Sequence, residues 1–173
     1  MNAKTILRIS IIVLLLINGH SSSAQDAEEY FRKGKIDYNS ARYADAIENF
    51  SKAIALDSSD INFYLQRGFC KSMLKDYEGA VADFSKVIAL KPDHRWAYVS
   101  RGSAKNKSAD YKGAIDDFNK AIELDPSDAE AYNNRGFARK AMGDTEGACS
   151  DWHISKKLGN DEAKLILKNN RCR

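Results

Sequence analysis

The sequence predicts an all-α solenoid of four helix–turn–helix units closed by a C-terminal cap helix. Two observations carry this. First, the chain repeats itself every 34 residues: Tyr30, Tyr64, Tyr98 and Tyr132; Gly34, Gly68, Gly102 and Gly136; Ala46, Ala80, Ala114 and Ala148; Phe50, Phe84, Phe118 and Trp152; Pro92 and Pro126. A fixed period in this range marks stacked supersecondary units. Second, each unit carries helical periodicity twice, with a polar break between.

The unit at 95–128 shows the logic. From Trp96 to about Lys107 there is no Pro, and Ala97, Tyr98, Arg101, Gly102 and Lys105 fall at helical spacing. From Tyr111 to Leu124, Ala114, Ile115, Phe118, Ala121 and Ile122 form one apolar stripe. Ser108–Asp110 separates the two helices. Pro126 ends the second, because it lacks an amide donor and disfavours helix in the residue before it. Gly102 and Ala114 are small where the helices approach, and Phe118 fills the space beside them. One pair cannot bury its stripe alone, so units must stack.

The first 24 residues stand outside the repeat. Lys4 and Arg8 precede an apolar run, Ile9–Ile17, broken only by Ser10. A short polar stretch ending in Ser22–Ala24 follows. This is the three-part pattern of a secretory signal peptide with cleavage near Ala24. The competing reading is an uncleaved anchor, but the run is about half of the ~20 residues needed to span a bilayer. No Cys follows it to take a lipid. Cleavage would remove two cations and no acid, lowering net charge from +3 to +1. A nearly neutral chain gives no electrostatic case for nucleic acid.

The remaining chain divides into units at 25–60, 61–94, 95–128 and 129–162. Asp26 is expected to cap the first helix, with Glu28 and Glu29 in its first turn. Residues 161–173 hold the cap helix and tail, with Ala163, Ile166 and Leu167 on one face. No Gly/Ser-rich linker separates a second domain.

The pattern resembles the tetratricopeptide repeat, in its exported bacterial-type form, from Ala27 to Glu162. That resemblance implies a right-handed superhelix whose first helices line a concave, partner-binding groove. The positions it turns inward are Phe31, Lys35 and Tyr38; Leu65, Phe69 and Met73; Trp96, Val99, Ser103 and Asn106; Asn133, Phe137 and Lys140. This wall is rich in aromatic and Met side chains, as recognition surfaces are, although Phe69 and Phe137 could equally be core. Some relatives clamp C-terminal carboxylates with Lys, Asn and Arg; Phe31, Gln66 and Ser100 stand at three of those positions. Chaperone-tail binding is therefore not expected. The chain also departs from the family pattern. Arg67, Arg101 and Arg135 (Lys33 in the first unit) replace a frequent Leu, and Lys71, Lys105 and Arg139 replace a Tyr. Thr145, Ser155 and Asn160 are further departures in the last unit.

Catalytic patterns are missing. His94 and His153 stand apart, and no HExxH, CxxC, P-loop or nucleophile-elbow pattern is present. Adjacent acids such as Asp116 and Asp117 diverge around a helix. No enzyme activity, cofactor, metal or small-molecule substrate is expected. One polar feature recurs: Arg67, Arg101 and Arg135 with Asp83, Asp117 and Asp151, and the weaker pair Lys33 and Asn49. It reads as a ladder of ion pairs pinning helix to helix, within a unit or between units, rather than as a ligand-binding row.

The cysteines are odd in number. Cys70 reads as a small buried residue. Cys149 lies about ten residues before the turn at Gly159–Asn160, and Cys172 about twelve after it. In an antiparallel pair rising ~1.5 Å per residue the two come level, so a Cys149–Cys172 disulfide is expected. The alternative is two unrelated thiols.

The functional expectation is an exported, non-enzymatic scaffold, periplasmic or secreted, holding a peptide segment of a protein partner in its groove. A structural subunit of a larger cell-envelope assembly is the runner-up. A small accessory domain of a secreted enzyme complex is a third possibility.

Overall fold

A computed structural model describes residues 23–172. Most of the predicted export segment lies outside the described residues, among which all regular secondary structure is helical, without a strand. The helices are α1 (23–39), α2 (Tyr43–Leu56), α3 (Ile61–Met73), α4 (Tyr77–Leu90), α5 (Arg95–Lys107), α6 (Tyr111–Leu124), α7 (Ala129–Ala141), α8 (Thr145–Lys157) and α9 (Asp161–Asn169). Each packs on its chain neighbours: α3 on α4, α5 on α6 and α7 on α8 within units, and α2 on α3, α4 on α5 and α6 on α7 between them. α9 packs on α8. None of the helices described is long and apolar enough to cross a membrane.

The repeated small and large residues do what their spacing predicts. Phe50, Phe84, Phe118 and Trp152 are fully buried, each under the Gly sixteen residues before it. A Cβ on Gly136 would stand 2.5 Å from Trp152 Nε1, too close for any side chain. The Trp that replaces Phe in the last unit keeps its polar edge satisfied: Nε1 donates to the Asn133 carbonyl at 3.2 Å. Ser155, in place of an Ala, is also buried without penalty because its hydroxyl donates to the Ala129 carbonyl at 2.7 Å.

The second helices of the last three units start on one repeated device, which α2, with Arg42 at its cap position, lacks. Asp76, Asp110 and Asp144 each accept a hydrogen bond from the amide of a Gly three residues on, Gly79, Gly113 and Gly147. The turn before each cap needs a residue with positive φ. Ala41 (56°), Lys75 (64°) and Ala109 (66°) supply it in the first three units, and only the fourth uses a glycine, Gly143 (88°). At the start of the chain the expectation fails. Asp26 lies inside α1, which is already helical at Ser23, so it is not that helix's cap.

α9 closes the last unit. Ile166 and Leu167 cover Ala148 and Trp152, and Ala163 is buried on the same helix. Cys149 on α8 is joined to Cys172 just past α9, with Cα atoms 5.5 Å apart. Cys70 is free and buried.

Candidate partner-binding groove

Three of the four units carry an ion-pair node richer than the sequence suggested. Asp117 accepts from Arg101 Nε at 3.0 Å and Nη2 at 2.6 Å, and Lys105 Nζ stands 2.9 Å away. Arg67 and Lys71 share Asp83 in the same way, and Arg135 and Arg139 share Asp151. The two departures from the family pattern thus converge on one buried carboxylate. Each Arg also reaches the preceding unit, donating Nη1 to Ser51, Ser85 or Asn119 at 3.0, 3.0 and 2.6 Å. Ion pairing is within units, and a hydrogen bond crosses between them. Lys105 and its equivalents were legible as cations one turn after each Arg, hence on the same face.

The expected Lys33–Asn49 pair of the first unit does not form. Lys33 pairs with Glu29 one turn earlier at 2.6 Å. Asn49 donates instead to Asp37 at 2.8 Å, which also pairs with Arg42. Asp37 stands where the later units have Lys71, Lys105 and Arg139, so the polarity of this node is reversed.

The positions assigned to the groove separate into three groups. Val99 and Asn133 are the least exposed, at 2% and 4%; Asn133 forms no open wall, and Val99 reaches the groove only as part of its floor. Val99 packs among Ala114, Phe118 and Ala131 and leaves only its edge to the groove floor. Asn133 lies within 3.5 Å of Glu162 on the cap helix. Phe31 and Leu65 are half-buried. The Phe31 ring lies 4.9 Å from Phe63, and Lys35 sits 4.7 Å over its face. Asn106 and Ser103 are also half-buried, and Tyr38 stacks edge-on Tyr43 at 5.8 Å. The third group is open. Phe69 and Phe137 show one edge to solvent and rest the other on Phe84 at 5.3 Å and Trp152 at 5.5 Å. Met73 and Trp96 are 55% and 53% exposed. Lys140 is exposed and donates to Asn170.

Phe69, Met73 and Trp96 surround an open, mainly apolar pocket of about 330 Å³ floored by Phe84 and Val99. Trp96 is held by its neighbour: the Arg95 guanidinium lies 4.4 Å over the indole and pairs with Asp125 and Asp128. Sequence reasoning missed Lys107 and Glu130, which also line the pocket. The repeat could have found them, since Lys107 is the counterpart of Met73 and Glu130 of Trp96, each 34 residues on. Lost hydration on the pocket wall pushes the Glu130 carboxyl above its ordinary pKa; Asp128 adds to this, while Arg95 and Asn134 oppose it. Among the described residues no cluster of His, Cys, Asp and Glu could hold a metal.

A stack of helix pairs presenting an apolar trough on its first helices defines a protein-interaction scaffold. The chain belongs to the tetratricopeptide-repeat family: models described as "Tetratricopeptide repeat" match residues 27–60 and 61–94, and one described as "TPR repeat" matches 102–143. Its fold is that of MamA 41-end from Desulfovibrio magneticus RS-1, at 22% identity and TM-score 0.74, covering 93% of this chain and 99% of that one. It is also similar to the Arabidopsis OM64 TPR domain (25% identity, TM-score 0.65, 68% and 98% covered). The first TPR of Spaghetti (RPAP3), solved bound to the HSP90 peptide SRMEEVD, is likewise similar (25% identity, TM-score 0.66, 69% and 95% covered). No curated protein matches the chain by sequence.

Proposed function

We propose that this protein is an exported, non-enzymatic scaffold that holds a peptide segment of a cell-envelope protein in the groove around Trp96. The observation that carries this is the exposure of Trp96, Met73 and Phe69 around one pocket. Large apolar side chains kept in water beside a preformed trough are spent on a partner. The RPAP3 neighbour, bound to an HSP90 peptide, is a precedent for peptide capture on this fold. A chaperone tail is not the partner proposed, because Phe31, Gln66 and Ser100 replace the cationic and amide groups of a carboxylate clamp. Export is supported by the signal-like segment at 1–24 and by the Cys149–Cys172 bridge, which suits an oxidising compartment.

The test is affinity capture from an envelope extract with wild type and the Trp96→Ala/Phe69→Ala double variant, after circular dichroism shows both folded. The variant should lose a partner that wild type retains. If it keeps every partner, the groove is not the binding surface. N-terminal sequencing of protein from the producing cell should begin at or near Gln25; an intact Met1 would refute export by cleavage.

A further inference from the structure

We infer that the pocket between α3 and α5 takes a short peptide stretch with one bulky apolar side chain, a carboxylate on one flank against Lys107 and a cation on the other against Glu130. This deepens the groove reading above and depends on it.

The argument begins with the direction of the pocket. Val99, Ser103 and Lys107 line it at steps of four, so its long axis runs along α5. Trp96 lies eleven residues before Lys107, a rise of about 16 Å in a helix. Glu130 holds in α7 the place that Trp96 holds in α5, which puts it at the Trp96 end. Lys107 is at the opposite end, level with Met73, its counterpart in α3. The pocket is therefore apolar in the middle, with one anionic and one cationic wall residue at its two ends.

Other charges around it are cancelled. Arg95 is taken up by Asp125 and Asp128, and Lys105 by Asp117. Neither Lys107 nor Glu130 is in any ion pair found among the described residues. They are the two charges at this pocket still open to a ligand, and they have opposite sign. The raised pKa of Glu130 fits this, since an arriving cation would offset both its desolvation and the repulsion from Asp128. An extended chain rises about 3.3 Å per residue. About five residues therefore cover the ~16 Å of α5 from the Trp96 end to the Lys107 end, with the apolar anchor in the middle over Phe69, Met73 and Trp96.

Fluorescein-labelled peptides in a Gly/Ser background test this by anisotropy. Their cores are Lys-Ser-Phe-Ser-Glu, the reversed Glu-Ser-Phe-Ser-Lys, the neutral Gln-Ser-Phe-Ser-Gln, and Gln-Ser-Ala-Ser-Gln. One of the two charged orders should bind wild type about five-fold tighter than the neutral Phe peptide, a gain that shrinks at high salt. The Lys107→Glu/Glu130→Lys exchange, checked for an unchanged melting curve, should prefer the opposite order. If both charged orders bind no better than the neutral Phe peptide while that peptide beats its Ala control, the charge assignment is overturned and the apolar groove stands. If Phe and Ala peptides are indistinguishable in every charge pattern, the groove reading fails and takes this inference with it.

Discussion

Asp117→Ala should be among the most damaging single polar changes in the helix pairs. The Asp117 side chain is 5% exposed and holds two cations, Arg101 and Lys105. Removing the carboxylate leaves both cations facing the same hollow with no counterion. Breaking a buried pair by deleting one partner costs about 3–5 kcal/mol. Arg101 and Lys105 are 19% and 20% exposed and recover part of their hydration, so the cost should fall at the low end, about 3 kcal/mol.

Arg101→Ala is the informative comparison. The sequence alone suggests that this change strands Asp117. In the structure Lys105 stays 2.9 Å from that carboxylate, so the charge keeps a partner. The loss is a bidentate pair and the bond to Ser85, about 1.5–2 kcal/mol. Urea unfolding followed by circular dichroism measures both, comparing midpoints at constant m. The order should be Asp117→Ala, then Arg101→Ala, then wild type. An Asp117→Ala cost below ~1 kcal/mol, the range of exposed pairs, would refute the shared buried node. So would an Arg101→Ala variant that is the less stable of the two.

Three further outcomes follow from the geometry. Ala109→Gly should stabilise the protein by about 0.5–1 kcal/mol, because relief of the positive φ at Ala109 outweighs the added freedom of the unfolded chain; a fall in the melting midpoint would contradict it. Cys149→Ser/Cys172→Ser should cost about 3 kcal/mol by opening a 23-residue loop, with peptide mapping of the oxidised wild type finding Cys70 unpaired. Burial pushes the Cys70 thiol up to about 11, so it should resist alkylation until the chain unfolds; free thiols at all three positions would refute the bridge. Glu130 has a raised folded-state pKa, so ionising it costs stability, and the cost appears as pH rises from the ordinary Glu range through the raised value. Glu130→Gln should therefore be more stable than wild type at pH 7, with the gain gone near about pH 3; a gain that persists there would remove the electrostatic explanation.

The sequence by itself determined the repeated architecture. A 34-residue period with Gly facing Phe or Trp leaves one economical arrangement, because each helix pair has an apolar stripe that only a neighbouring pair can cover. It also placed Arg101 level with Asp117 and Cys149 level with Cys172. Both follow from counting residues away from a turn between antiparallel helices, where rise per residue alone sets the register. The start of α1 was not legible, since Asp26 has the chemistry of a cap whether or not the helix begins earlier. What the tertiary structure decided was depth. Val99 and Trp96 lie three residues apart on α5, yet one is buried under α6 and α7 while the other stands in water. Periodicity gives a residue's angle around its own helix; exposure depends on how closely the next helices cross above it. The same limit left open which carboxylate the second cation of each node would meet, and that residues 107 and 130 would share one pocket. Lys105 joins Asp117, and Lys107 and Glu130 come to one trough, only because α5, α6 and α7 are packed together.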